Sequence, residues 1–121
     1  MSARDEQALL DYLGHILEAI AKIQRYVKDL DHAGFLRNEE KQDAVIRNLE
    51  VIGEASGNIL KHFPDFSVRF PGVPLREAYG TRNMLAHGYF KVDLDIVWRT
   101  IEADLPSLDI SVERALAALQ T

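Results

Sequence analysis

No cysteine occurs among the 121 residues. That excludes disulfides, zinc–thiolate centres and thiol nucleophiles, and it fits a reducing compartment. No apolar run approaches the roughly 20 residues that span a membrane, and "MSARDEQALL" lacks the apolar stretch of a secretory signal. The expectation is a cytoplasmic protein with no membrane contact. Nor is there an excess of positive charge. The net charge of −5 argues against broad electrostatic wrapping of nucleic acid. No segment sustains two-residue alternation of apolar and polar residues, so nothing reads as a half-buried strand.

What remains is a chain with 47% hydrophobic and 27% charged residues, a balance that places it among soluble globular proteins. Its length suits one domain, residues 1–121, that buries an ordinary core without staples. Helical periodicity dominates. Leu9, Leu13, Ile16, Ile20, Ile23, Val27 and Leu30 follow an unbroken 4-3-4-3 spacing, an apolar seam over one long helix. "LDHAGFLRNEE" interrupts it, with Gly34 and Asn38 as turn and cap candidates. A second helix carries Val45, Leu49, Ile52, Ile59 and Phe63 on one stripe, broken by Ser56, and Pro64 ends it. "PDFSVRFPGVP" holds three of the four prolines and reads as loop.

A third helix is expected from Leu75 to about His87, with Gly88 as its C-terminal cap. Asp93 reads as the N-cap of a fourth helix, whose stripe runs from Leu94, Val97 and Trp98 to Leu116 and Leu119. Pro106 lies inside that stripe, so a kink or two abutting helices is expected there. The fold class is therefore all-α, an antiparallel bundle of four main helices without internal repeats.

Charge is unevenly spread. Between Phe66 and Lys91, Arg69, Arg76, Arg82 and Lys91 face Glu77 alone, a balance of +3, and the rest of the chain carries −8. An anionic partner would meet this segment, which includes "TRNMLAHGYF", Thr81 to Phe90. On a helix Asn83 and His87 are about 40° apart, whereas Arg82 starts about 140° from His87. Its long arm can still swing to the same mouth, and Tyr89 follows just past the expected helix end. Arginine clamps a phosphodiester and stabilises transition-state charge; histidine titrates near neutrality and moves protons. The same two residues also complement a helix C-terminus, and Tyr89 and Phe90 could equally be core aromatics anchoring the turn. Cleavage through a 2′-hydroxyl needs both a base and an acid. A two-fold dimer joining two copies of this helix end would supply them.

The pattern Arg82-Asn83-x3-His87-x-Tyr89 resembles the R-x4-H-x-Y signature of HEPN-domain proteins, specifically the HepT-like toxins that pair with minimal nucleotidyltransferase antitoxins of the MntA type. "AVIRNLEVIGEAS" (44–56), "FPGVPLREAYGTRNMLAHGYFKVDLDIVW" (70–98) and "DLPSL" (104–108) are similar to the family's helix blocks in order, so the resemblance spans essentially the whole chain. It implies a four- to five-helix HEPN bundle, a homodimer and a metal-independent ribonuclease site in the cleft between subunits, with no cofactor. Carried over by position, Arg82 would bind phosphate and His87 would be the catalytic histidine. Asn83 would orient substrate or imidazole, and Tyr89 would receive AMP from the partner nucleotidyltransferase. Leu75 and Thr81 depart from the tryptophan and methionine common at these places, both as packing positions.

Arg47, Glu50 and Glu54 have the spacing of a solvated ion-pair face. Glu54 is singled out as a brace for Arg82, because Gly53 beside it permits close helix approach. A metal site is disfavoured: Asp93 and Asp95 suit capping better than chelation, and His15, His32 and His62 lie on separate segments. Two alternatives to cleavage remain. The chain could be a helical binding module that captures a nucleotidyltransferase or nucleotide, or the antidote to a toxic partner.

Overall fold

The computed structural model describes residues 1–87 and 92–121, the side chains of Ala86 and His87 excepted. Every regular element among the described residues is helical. The first helix, α1 (Ala3–Val27), begins at a reciprocal cap: Ser2 Oγ accepts the Asp5 N–H at 3.1 Å, and the Asp5 carboxylate accepts the Ser2 N–H. Leu9, Leu13, Ile16, Ile20 and Ile23 are buried, as the seam requires. The seam outlasts its helix. Leu30 packs on the core from the turn beyond Val27, where its N–H bonds to the Val27 carbonyl at 2.9 Å.

The expected break holds a short helix instead of a simple turn, α2 (His32–Leu36), with Gly34 inside it. Asp31 caps it, accepting the Gly34 N–H at 2.7 Å, and the fully buried Phe35 pins it to the core. Asn38 caps α3 (Glu39–His62) by accepting the Lys41 N–H at 3.0 Å. Val45, Leu49, Ile52 and Ile59 are buried along α3, and Ser56 is buried with them. Its Oγ donates to the Ile52 carbonyl at 2.7 Å, which satisfies the polar interruption inside the core. Phe63 is the C-cap of α3, outside the helix whose stripe it was expected to complete.

The proline-rich stretch is the clearest departure. Pro64 both stops α3 and opens α4 (Pro64–Arg69), where its missing N–H costs nothing at the first helical position. Phe66 is buried and packs against Phe70 at 5.0 Å between ring centroids, so the segment is anchored to the core. Next comes α5 (Leu75–His87), with the bounds expected from sequence. Leu75 is buried, and Thr81 is half-buried with its hydroxyl donating to the Glu77 carbonyl at 3.0 Å.

Asp93 caps α6 (Leu94–Arg99), accepting the N–H groups of Asp95 and Ile96 at 3.0 and 3.3 Å. A π-helical turn, Thr100–Asp104, then joins α6 to α7 (Leu105–Leu119). Pro106 explains it. Proline has no N–H to donate and its ring would press on the carbonyl four residues back, that of Glu102. The ladder instead widens just before it, with the Leu105 N–H bonded to the Thr100 carbonyl five residues back. The expected kink is thus a local change of helical pitch.

In the packed molecule α3 lies along both α1 and α5, α7 closes against α1, and α2 leans on α6. The last contact is aromatic: Phe35 and His32 flank Trp98 at 5.3 and 5.9 Å, the imidazole stacked within 2° of parallel. None of the described helices is long and apolar enough to cross a membrane.

Candidate active site

Two glycines one turn apart on α3 let α5 approach closely. A Cβ on Gly53 would overlap the Arg82 Cβ, and would also lie 2.7 Å from the Arg82 Cγ and 3.0 Å from the Ala78 carbonyl oxygen. A Cβ on Gly57 would sit 2.6 Å from both Cδ1 and Cε1 of the Tyr79 ring. Real side-chain contacts do not come so near, so both positions require glycine at this spacing. The stem of Arg82 is therefore pressed against α3 at its base, and the freedom that remains belongs to its guanidinium end.

Arg82 is half-buried, and its Nη1 donates to Asn83 Oδ1 at 3.3 Å. Although the two Cα atoms lie on different faces of α5, the long arginine arm closes the gap. Asn83 thus has a contact the sequence did not suggest: it positions the guanidinium. Among the described residues no carboxylate pairs with Arg82, since the ion pairs are Lys22–Glu18 and His32–Asp95. Its remaining donors are available to an anion.

Glu54 is exposed and lines the same hollow as Arg82, a cavity of about 380 Å³ that also includes Asn58, Lys61 and Tyr79. Among the described residues it forms no ion pair with Arg82, and neither it nor Glu50 pairs with Arg47. His87 is the last residue of α5, one turn beyond Asn83. Its side chain, together with Gly88, Tyr89 and Phe90, lies outside the described residues. Arg82 and Glu54 therefore line one hollow between α5 and α3, Asn83 is hydrogen-bonded to the Arg82 guanidinium, and α5 ends at His87.

Three of the remaining polar candidates, Asp93, Asp95 and His32, have structural partners. Asp93 caps α6, and Asp95 accepts a hydrogen bond from His32 Nε2 at 2.7 Å. His32 is therefore not isolated, because the bundle brings it to a residue 63 positions away. No group of three or more potential metal ligands is found among the described residues.

Comparison with known proteins meets this geometry from another side. The family described as Ribonuclease HepT-like matches residues 16–115, which include Glu54, Arg82, Asn83, His87 and Tyr89. The chain belongs to the HepT-like ribonuclease family. A Methanocaldococcus jannaschii protein whose name calls it a putative RNase is 41% identical over 113 residues, covering 93% of this chain and 98% of its own. The probable ribonuclease HepT of Thermococcus cleftensis is 42% identical over 104 residues, 86% of this chain and 92% of its own. No solved structure gives a significant match.

On this HepT-like bundle, reasoning from sequence passed over Gly57, Asn58, Lys61 and Tyr79. The signal was present in Gly53-x3-Gly57, two small residues on one face of a helix, which marks a close crossing. What crosses there depends on how α5 docks, and no local pattern in the chain encodes that.

Proposed function

We propose that this chain is a metal-independent endoribonuclease acting as a two-fold dimer, the toxin of a toxin–antitoxin pair, and that a partner nucleotidyltransferase silences it by adding AMP to Tyr89. The observation that carries the reading is Arg82, set by Gly53 and Asn83 with no carboxylate partner among the described residues, within the Arg-x4-His-x-Tyr pattern of a HepT-like chain. Arg82 would hold the scissile phosphate and offset the charge that grows on its non-bridging oxygens. His87 of one subunit would take the proton from the RNA 2′-oxygen as it attacks phosphorus. His87 of the other would give a proton to the departing 5′-oxygen, leaving a 2′,3′-cyclic phosphate and a 5′-hydroxyl. With one motif histidine per chain, His87, the dimer is part of the mechanism.

The test is cleavage of single-stranded RNA in the presence of a chelator by the parent, Arg82→Ala and His87→Ala, each checked by sedimentation at micromolar concentration. Both variants should remain helical dimers and lose rate, His87→Ala by roughly 10²- to 10⁴-fold, the usual worth of a general acid or base, and Arg82→Ala by roughly 10²- to 10³-fold, that of a donor to transition-state charge. A His87→Ala protein that cuts as fast as the parent sinks the assignment. A monomeric parent that still cuts removes the composite site.

A further inference from the structure

Beside Arg82, α3 and α5 border an open hollow of about 380 Å³ whose other polar groups take no part in that cleavage step. We propose, on the footing of the ribonuclease reading, that this hollow is a nucleotide subsite: a base flanking the scissile phosphate stacks on Tyr79, and its backbone phosphate meets Lys61 and Asn58.

Tyr79 leaves 39% of its surface exposed, yet the ring is not loose. One edge is seated on Gly57, where a Cβ could not fit. A fixed, half-exposed ring beside cationic groups is the usual platform for single-stranded nucleic acid, because every base offers a π-face. Lys61 is exposed one helical turn after Gly57 and has no ion pair among the described residues. With Arg82 it outweighs Glu54, so the hollow has a local excess of one positive charge.

Position along α5 gives the subsite its place in the reaction. Tyr79 precedes Arg82 by three residues, about 4.5 Å along the axis, and His87 follows Arg82 by five, about 7.5 Å the other way. The base on Tyr79 therefore belongs to the nucleotide on the side of the scissile phosphate away from the His87 of the same subunit. The volume is near the lower end of the range for small-ligand sites, about 300–1,000 Å³, which suits one nucleotide.

The experiment uses the full chain and a single-stranded oligoribonucleotide that the parent cuts once, together with a series carrying one abasic nucleotide at each position flanking the cut. Tyr79→Ala should raise KM roughly 10- to 100-fold with kcat within about twofold, whereas Tyr79→Trp keeps the parental KM. One abasic substitution should impose a similar rise on the parent and none on Tyr79→Ala. Lys61→Ala should flatten the dependence of log KM on log salt by about 0.7, one phosphate contact on a single strand. The abasic series reads the contact from the substrate side and does not depend on how Tyr79→Ala folds.

An unchanged KM for Tyr79→Ala, or an equal further loss on every abasic substrate, overturns the subsite. If Arg82→Ala is inactive while Tyr79→Ala matches the parent, the subsite alone falls. If Arg82→Ala cuts normally, the ribonuclease reading falls and the subsite with it.

Discussion

Gly53 constrains the candidate site more tightly than any charged residue, because it sets where Arg82 begins. A methyl group there has to displace the Arg82 stem or the α5 backbone at Ala78. Gly53→Ala should destabilise the protein by about 1–3 kcal/mol, the usual cost of overpacking, and should reduce cleavage beyond what that stability loss explains. Gly14→Ala is the matched control. Nothing lies within 4 Å of a Cβ built on Gly14, inside α1, so the change should stabilise by up to about 1 kcal/mol through helix propensity. Urea denaturation of the two variants measures both signs, and a neutral Gly53→Ala would mean the crossing is looser than described. The sequence made Gly53 legible as a point of close approach. It linked Glu54 to Arg82, but it did not make legible that the Arg82 stem itself is pressed against Gly53, which follows from how α5 docks on α3, nor that Asn83 would hold the guanidinium, a contact within α5.

At the scale of elements, the long helices were readable, and of the short ones only α6 was, as the start of the last stripe. The apolar stripes of α1, α3 and the final helix repeat often enough to reveal their period, and α5 lies between a proline-rich stretch and a glycine. Five or six residues, as in α2 and α4, cannot show a 3.6-residue period; each is held by one buried phenylalanine, Phe35 or Phe66. Proline density misled at α4, since the same residue that stops one helix is well suited to begin the next. Two caps, by contrast, are local chemistry and were legible, Asn38 and Asp93. Asp93 is the informative one, because it starts the helix that follows the segment containing Tyr89. Asp93→Ala should cost about 0.5–2 kcal/mol, while Asp93→Asn, which retains the accepting oxygen, should be nearly neutral. The comparison is again by chemical denaturation. Equal losses from both substitutions would mean that the negative charge at the helix start, and not the cap hydrogen bonds, is what stabilises α6.

For the whole molecule the controlling feature is its polarity. Residues 66 to 91 carry +3 on a chain whose remainder carries −8, so a polyanion is repelled by most of the surface and drawn to the segment that holds Arg82 and Tyr89. An acidic protein can therefore bind RNA in one place without coating it. The same arrangement makes the segment sensitive to added negative charge. If the Tyr89 oxygen attacks the α-phosphorus of ATP, pyrophosphate departs, the phenolic proton goes to solvent and one AMP unit stays on the ring. Each unit brings one negative charge within seven residues of Arg82, so three units would cancel the local balance. Incubation with the partner nucleotidyltransferase and ATP should then add mass in AMP steps to the parent and none to Tyr89→Phe, as read by intact-mass measurement. Modified parent should bind RNA more weakly, with a shallower salt dependence, because fewer counterions are released from the RNA on binding. Tyr89→Phe should cut RNA as the parent does and resist silencing, inhibiting growth more than the parent when both genes are present. AMP on the Phe variant, or none on the parent, would remove Tyr89 from the control of this protein and leave Arg82 and His87 to be judged by cleavage alone.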